Sequence, residues 1–448
     1  MDIFSLISGF GNTFWVVIAF VVALSIIVAI HEYGHYIVGR WSGIGADVFS
    51  LGFGPVLWSR HDRHGTKWQI AAIPLGGYVK FKGDANAASG KDGEAMSAMS
   101  ERERRQTMHG APLWARAATI AAGPLFNFIL STLVFAAVFL SRGEVGDSLT
   151  VGKMHSLPPA SYGLQTGDEI TSIAGLANPG FADPKAFESF VDGIPLVQPL
   201  DYGVLRGGDR LTVTGPYLYP PLVLHLAPRS AAYEIGMEIG DVITAIDGRA
   251  ITGFSELKEA VESGAGKPLL LTVWRDGQEL DFALTPRRAD EPQPEGGFKT
   301  FWRIGIGGGL AFEPATETPG VGAALWGGLA QTGVIIKGSV SGLYHMVTGA
   351  ISTCNLSGPV GIAQTSGAMA SQGAQSFIWF IAVLSAAIGM LNLFPIPMLD
   401  GGHLVFLAYE ALAGRPPNDA VVRVLMTAGL VIVLSLMTFG LTNDLFCP

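Results

Sequence analysis

Charge is what this chain of 448 residues has least of. Its 28 basic and 37 acidic side chains make up 15% of the sequence, where an average soluble domain carries roughly 25%. The formal net charge is −9, so the small surplus is acidic. A disordered chain needs few apolar residues, and a nucleic-acid binder needs a basic face. Neither fits 49% hydrophobic residues and a mean hydropathy of +0.39, and no nucleic-acid partner is expected. Cysteine is scarcer still. Cys354 and Cys447 are too few for a disulfide framework and cannot make a cysteine zinc site. One bridge is open to them if both face the oxidising side of a membrane. Two unpaired thiols are the expectation, because isolated pairs are seldom bridged. Acidic and basic residues are missing altogether between Asp2 and His31.

What fills these gaps is long apolar runs. Residues 14–30 come close to the about 20 needed to span a bilayer. This is not a signal peptide: no basic segment precedes it, and it runs into His31 and Glu32 rather than a small-residue cleavage site. A second run, 117–140, is closed by Arg116 and Arg142. A third, 377–393, continues past a proline-rich break, and a fourth, 424–441, follows Arg423. Four spans are expected. Basic residues cluster between spans one and two (Arg60, Arg63, Lys67, Lys80, Lys82, Arg102, Arg104, Arg105) and between three and four (Arg415, Arg423). Positive loops stay in the cytoplasm, so both termini and the long segment 143–375 are expected outside.

That long segment contains a repeat. Gly163-Leu-Gln-Thr-Gly-Asp-Glu-Ile-Thr-Ser-Ile-Ala-Gly175 returns as Gly236-Met-Glu-Ile-Gly-Asp-Val-Ile-Thr-Ala-Ile-Asp-Gly248. A glycine-turn hairpin follows each, at 204–213 and 273–282, with an amphipathic helix expected over 254–263 and a shorter one over 187–191. Two copies of roughly 70 residues argue for tandem domains rather than a solenoid. The pattern resembles PDZ domains, more closely in the second copy; in the first, Ala174 stands where an Asp is usual. PDZ domains hold an extended peptide by strand addition, although these copies could also act as spacers that exclude by size. Residues 289–297 read as a linker from their Pro, Gly and charge. Residues 321–351 read as a helix pair lying on the outer membrane surface; the alternative, a fifth span, would put Lys337 and His345 in mid-membrane.

The expected fold is an α-helical polytopic membrane protein with tandem PDZ-like α+β domains and a membrane-associated β-hairpin. Its order is a first span in 1–40, a cytoplasmic-side hairpin and loop in 41–112 and a second span in 113–142. Repeats follow at 148–216 and 217–288, then a linker and surface helices in 289–375. The third span falls in 376–412 and the fourth in 420–442.

The chemical signal is His31-Glu32-Tyr33-Gly34-His35. Residues four apart share a helix face, so two imidazoles could bind one metal ion while Glu32 reaches its water. Ionisable groups at the end of a span are costly unless they act together. Hydrolytic zinc wants three protein ligands and an open position. Asp400, in Asn392-Leu-Phe-Pro-Ile-Pro-Met-Leu-Asp-Gly-Gly402, is the only carboxylate between Lys337 and Glu410. Pro395 and Pro397 should break the third span beside it, and unwound backbone is tolerated at membrane depth where it lines a cavity. His403 is the rival ligand.

These two motifs resemble the site-2 protease family of intramembrane metalloproteases. The tandem insert, Gly123-Pro-Leu-Phe-Asn127 and Ser357-Gly-Pro-Val-Gly-Ile362 are similar to its bacterial RseP type. The resemblance implies Zn2+, held by His31, His35 and Asp400, with Glu32 as general base. Asn392 and Asn127 are candidates for substrate or oxyanion contacts; a helix cap and a helix–helix hydrogen bond are their bland alternatives. It also implies a bacterial inner-membrane enzyme with periplasmic PDZ-like domains, acting on single-span proteins such as trimmed anti-sigma factors and remnant signal peptides. Segments 48–58 and 68–80 read as β-strands around a charged turn; the resemblance implies a hairpin that dips into the lipid, and an ordinary cytoplasmic hairpin is the alternative. The alternative is a non-catalytic membrane PDZ scaffold with a vestigial zinc site, which would have no need of Glu32.

Overall fold

The computed structural model describes residues 3–85, 93–158, 162–293 and 296–447; Asp2, and Pro294 and Glu295 of the expected linker, lie outside them. The chain divides into two compact units. One holds the chain up to Val138 with Val321–Tyr344 and Leu356–Cys447; the other holds Phe139–Gly320 and His345–Asn355.

The first unit is built on helices whose composition leaves little choice. α1 (Ile3–Trp41) is apolar up to His31 and stops where Gly43 takes a left-handed φ of 84°. A strand pair follows, β1 (Ala46–His61) and β2 (Lys67–Phe81). It folds back on itself, so each residue from Val48 to Leu51 has two partners, such as Val79 and Trp68 for Phe49. The fold-back needs Gly52, at φ 88°, where a side chain would sit 2.8 Å from the Ile73 carbonyl oxygen. Asp62 ties the far turn to α1, accepting from Tyr36 Oη at 2.7 Å and Trp68 Nε1 at 3.2 Å. Beyond the fold-back, Phe53, Leu57, Trp58, Ile73 and Leu75 are exposed. Two short helices, α2 (Gly93–Ser97) and α3 (Glu101–Arg104), lead to α4 (Leu113–Arg142).

α8 (Val321–Val347) is one continuous helix, which corrects the expected pair. Its small residues explain why: Gly328 lets its backbone approach Thr132 and Ala136 of α4, and Thr332 bonds Ser131. α9 (Pro359–Ser371) receives Asp444 at its N-terminus, where the carboxylate accepts from Gly358 and Gly361 N–H. α10 (Ala374–Asn392) ends before Pro395 and Pro397, and α11 (Asp400–Ala413) starts beyond them. α12 (Asp419–Phe446) closes the unit. Among the described residues four helices are long and apolar enough to cross a membrane: Thr13–Trp41, Leu113–Arg142, Ala374–Asn392 and Asp419–Phe446.

The second unit contains the repeat as two sheets of one strand order. β5 (Glu169–Ile173), β6 (Leu176–Ala177), β7 (Leu200–Arg206) and β8 (Asp209–Gly215) stand in the order β6-β5-β7-β8, with α5 (Pro184–Gly193) between β6 and β7. β10 (Val242–Ile246), β11 (Arg249–Ala250), β12 (Leu269–Arg275) and β13 (Gln278–Leu284) repeat it as β11-β10-β12-β13, with α7 (Phe254–Ser263) between β11 and β12. Each copy carries the same pair, a buried aspartate held by a partly exposed arginine. Arg206 forks onto Asp168 at 2.6 and 2.8 Å and bonds the Gly163 carbonyl. Arg275 does so with Asp241 at 2.6 and 2.7 Å and with Gly236.

The chain after Pro286 is not a linker. β14 (Arg287–Pro292) and β15 (Phe298–Arg303) form a hairpin. Charge and proline mark exposure there, and the strands still pair, held by Arg303 on Glu291 at 2.6 Å. β16 (Ile306–Gly307) then joins β9 (His225–Leu226), the strand leading to the short helix α6 (Ala231–Glu234). β17 (Phe312–Pro314) returns to β4 (Val151–Met154), and β18 (Thr316–Glu317) to β3 (Glu144–Val145). The first copy is thus completed by strands that follow the second. Both cysteines are disulfide-bonded and no thiol is free, correcting the expectation drawn from their rarity.

Candidate active site

His31 and His35 lie one turn apart on α1, with Nε2 atoms 3.1 Å from each other. Asp400, the first residue of α11, places Oδ2 3.2 Å from His31 Nε2 and Oδ1 3.5 Å from His35 Nε2. Among the described residues these three form the one group of His, Cys, Asp or Glu donors close enough to share an ion. Four ligand atoms set tetrahedrally at zinc's usual bond length of about 2.0–2.1 Å stand about 3.3 Å apart. The spacings here, 3.1 Å between the imidazoles and 3.2 and 3.5 Å to the two carboxylate oxygens, are close to that value, and the three groups form a triangle of zinc's dimensions. The Asp400 Oδ2 atom is also buried without a hydrogen bond, a costly state that a cation between the three groups relieves.

α4 holds both imidazoles. The Thr119 carbonyl accepts from His35 Nδ1 at 2.8 Å, which fixes the tautomer and leaves the Nε2 lone pair free. The Asn127 side-chain amide lies 3.2 Å from His31 Nδ1, and its Oδ1 is buried and unpaired. Turning the amide over lets Oδ1 accept from Nδ1–H, which satisfies both groups and frees His31 Nε2 in the same way. Between them sits Gly123, where any Cβ would overlap His35 Nε2. Asn127 is itself anchored: its carbonyl accepts from Ser385 of α10 at 2.9 Å, and Gly389 packs on its Cβ.

Glu32 stays outside the triangle and faces β2. The Val79 N–H bonds its carboxylate, and the charges of His31, His35 and Asp400 act on it. A side chain at Gly77 would come within 3.1 Å of Glu32 Cγ, so only glycine lets the strand approach this closely. His403 is not in the donor group; its ring stands edge-on to Phe406 with centroids 6.2 Å apart. Asn392 ends α10 and makes no side-chain hydrogen bond among the described residues. Sequence reasoning missed the Thr119 carbonyl, a main-chain group that no side-chain motif can announce. It also missed Asp84, fully buried with Oδ1 3.2 Å from His109 Nε2, and the Arg116–Glu410 ion pair.

Two imidazoles and a carboxylate close enough to share an ion, with a further glutamate beside them, suit a zinc-dependent peptidase. Here the donors come from α1 and from a helix that follows α10, and both α1 and α10 contain span-length apolar stretches, which fits a membrane protease. The chain belongs to peptidase family M50, whose sequence model matches residues 19–436, and it is accordingly a zinc metalloprotease. It is 36% identical to the "Putative zinc metalloprotease" of Agrobacterium fabrum, over 96% of this chain and 95% of that one. A protein of the same name in Rhizobium meliloti is 35% identical, over 97% of each. The regulator of sigma-E protease RseP of Salmonella typhimurium is 31% identical, over 96% of this chain and 98% of its own.

Proposed function

We propose that this peptidase hydrolyses transmembrane segments of single-span membrane proteins inside the bilayer, as a step of regulated intramembrane proteolysis. His31, His35 and Asp400 would hold the zinc and Glu32 would act as general base. The carrying observation is the donor triangle of 3.1, 3.2 and 3.5 Å with a glutamate beside it but outside it. When bound, zinc polarises the scissile carbonyl and lowers the pKa of the attacking water towards about 7. Glu32 takes one proton from that water on its carboxylate and returns it to the leaving nitrogen as the peptide bond breaks. The Val79 N–H steadies the carboxylate from the strand side. Asn127, on His31, is a positioning residue in this scheme. Asn392, with a free amide at the end of α10, is kept as a donor to the substrate backbone or oxyanion.

A transmembrane helix hides its peptide bonds and must be unwound before it is cut. The proximity of β2 to Glu32 supports pairing of an extended substrate with that sheet. The exposed apolar residues from Phe53 to Leu75 support its insertion in lipid. The Salmonella relative is named a regulator of sigma-E protease, and the substrate classes proposed with it are anti-sigma factors and remnant signal peptides. The basic loops support a bacterial inner-membrane enzyme with both termini and the segment 143–375 on the periplasmic side. The shared strand order of the two repeats supports PDZ-like domains there.

The test compares membrane proteins that accumulate in cells carrying Glu32→Gln against wild type, beside metal analysis of purified Asp400→Ala and His403→Ala. Single-span proteins should accumulate, and Asp400→Ala should lose zinc while His403→Ala largely keeps it. Unchanged membrane proteins would remove the substrate class. The reverse metal ranking would move the ligand role to His403.

A further inference from the structure

Of the three candidate ligands, Asp400 has the least local support. His31 and His35 share one helix and lean on one face of α4. Asp400 opens α11, and the chain before it is unwound from Leu393 to Leu399, with Met398 in a left-handed conformation at φ 90°. Such a break does not carry helical register from α10 to α11, so the height and rotation of α11 must be set by packing. Gly401 and Gly402 fit closely under the carbonyls of the unwound segment, which steadies the near end. At the other end, ten residues or about 15 Å along the helix, Glu410 receives Arg116 of α4. Nη1 lies 2.9 Å from Oε1 and 3.0 Å from Oε2. The side chains are only 17% and 21% exposed.

Arg116 lies on the face of α4 that holds the imidazoles. Thr119, Gly123 and Asn127 follow it at three, seven and eleven residues, which return within about 60° of it around the helix. One stripe of α4 thus touches His35, both rings together, His31 and, through Glu410, the helix of Asp400. A mostly buried ion pair is a poor source of stability compared with apolar packing, and its best-attested use is to fix register.

We propose that Arg116 and Glu410 are positioning residues for the metal site: their ion pair sets α11 on α4 so that Asp400 completes the triangle begun by His31 and His35. A slip of one residue moves a helix about 1.5 Å and turns it about 100°, whereas a metal ligand must be placed to about 0.2 Å. The inference rests on Asp400 being a zinc ligand.

The experiment uses the full chain in detergent micelles. Zinc retention is measured against a graded chelator, with the visible spectrum of the Co2+-substituted protein and the melting temperature recorded in parallel. Glu410→Gln should release zinc at tenfold or more lower chelator concentration and alter the Co2+ spectrum. Glu410→Asp keeps both charges and the fold, yet withdraws the carboxylate by one methylene; it should release zinc at three- to tenfold lower concentration. The charge exchange Arg116→Glu with Glu410→Arg should return to within threefold of wild type. Wild-type zinc retention and spectrum in folded Glu410→Asp, while Asp400→Ala loses zinc, would overturn the inference and leave the ligand set standing. A lowered melting temperature with unchanged zinc retention would overturn it too, as would a folded charge exchange that still releases zinc early. Zinc retained by Asp400→Ala would instead remove the ligand assignment, and the inference with it.

Discussion

Gly123→Ala should abolish proteolysis while leaving the helix bundle folded. A methyl at this position would overlap His35 Nε2, stand 2.5 Å from His35 Cε1 and reach 2.9 Å from His31 Cε1. Carbon atoms in contact prefer about 3.5–4.0 Å, so the His35 ring has to retreat by about 1 Å. Helix packing limits where it can go, because Nδ1 is held on the Thr119 carbonyl. Zinc coordination tolerates about 0.2 Å, and a misplacement of about 1 Å at a reacting centre costs on the order of 100-fold. A loss of 100-fold corresponds to about 2.7 kcal/mol of transition-state stabilisation. Stability moves less. Overpacking costs about 1–3 kcal/mol, and replacing a mid-helix glycine by alanine returns about 1 kcal/mol. The assay is cleavage of a model single-span substrate in detergent, with zinc content and melting temperature on the same preparations. Gly338→Ala in α8, where a Cβ meets no atom within 4 Å, serves as control and should match wild type throughout. Stoichiometric zinc and cleavage within threefold of wild type in Gly123→Ala would refute the claim that this glycine makes room for the ligands.

Glu32→Gln should keep its zinc and lose cleavage by about 10²–10⁴-fold, the usual share of a general acid–base group; metal analysis beside substrate turnover checks both halves. Asn127→Ala should lower zinc affinity by about 10–100-fold, the usual cost of losing a ligand's outer partner, and competition with a chelator measures it. Hydrogen bonds from Arg206 hold the Asp168 carboxyl below its ordinary range. A depressed folded-state pKa contributes stability above the unfolded value, about 3.9, that is lost as pH falls through the folded one. Protection factors at β5 and β7, taken relative to the intrinsic exchange rate, should therefore fall below about pH 4, and Asp168→Asn should lower protection at neutral pH and flatten that dependence; a variant with wild-type protection at both pH values contradicts it.

Much of the site could be read from spacing because its chemistry is local. His31 and His35 fall on one face of any helix that contains them, and an isolated carboxylate behind two prolines invites attention whatever the fold. The supports of the site are not local. Thr119 contributes a carbonyl, so its side-chain identity carries no sign of the role. Arg116 and Glu410 are separated by 294 positions, and their pairing exists only after α4 and α11 have packed. The same limit explains the second unit. Composition marked 289–297 as a linker, but Pro, Gly and charge do not distinguish a linker from the strand end and turn of a hairpin. The return of β17 to β4 crosses the whole second repeat, and a repeat pattern lists copies without saying which strand completes which.

The small residues of the helical unit carry the rest of the information. Gly123, Gly328, Gly389 and Gly77 scatter through the sequence without a shared period, and each is a position where another main chain or ring comes too close for a Cβ. In a bilayer the lipid is as apolar as the helices, so association depends on such close approach rather than on burial of apolar surface. In the proposed reading, this is how a chain with few charges holds its polar site residues beside span-length helices. The glycines bring α1, α4, α10 and β2 within hydrogen-bonding reach. Thr119, Asn127 and Val79 then supply the polar contacts that His31, Glu32 and His35 would otherwise lack. Replacing any one of these glycines acts on the chemistry through distance, even though the glycine itself has no functional group to lose.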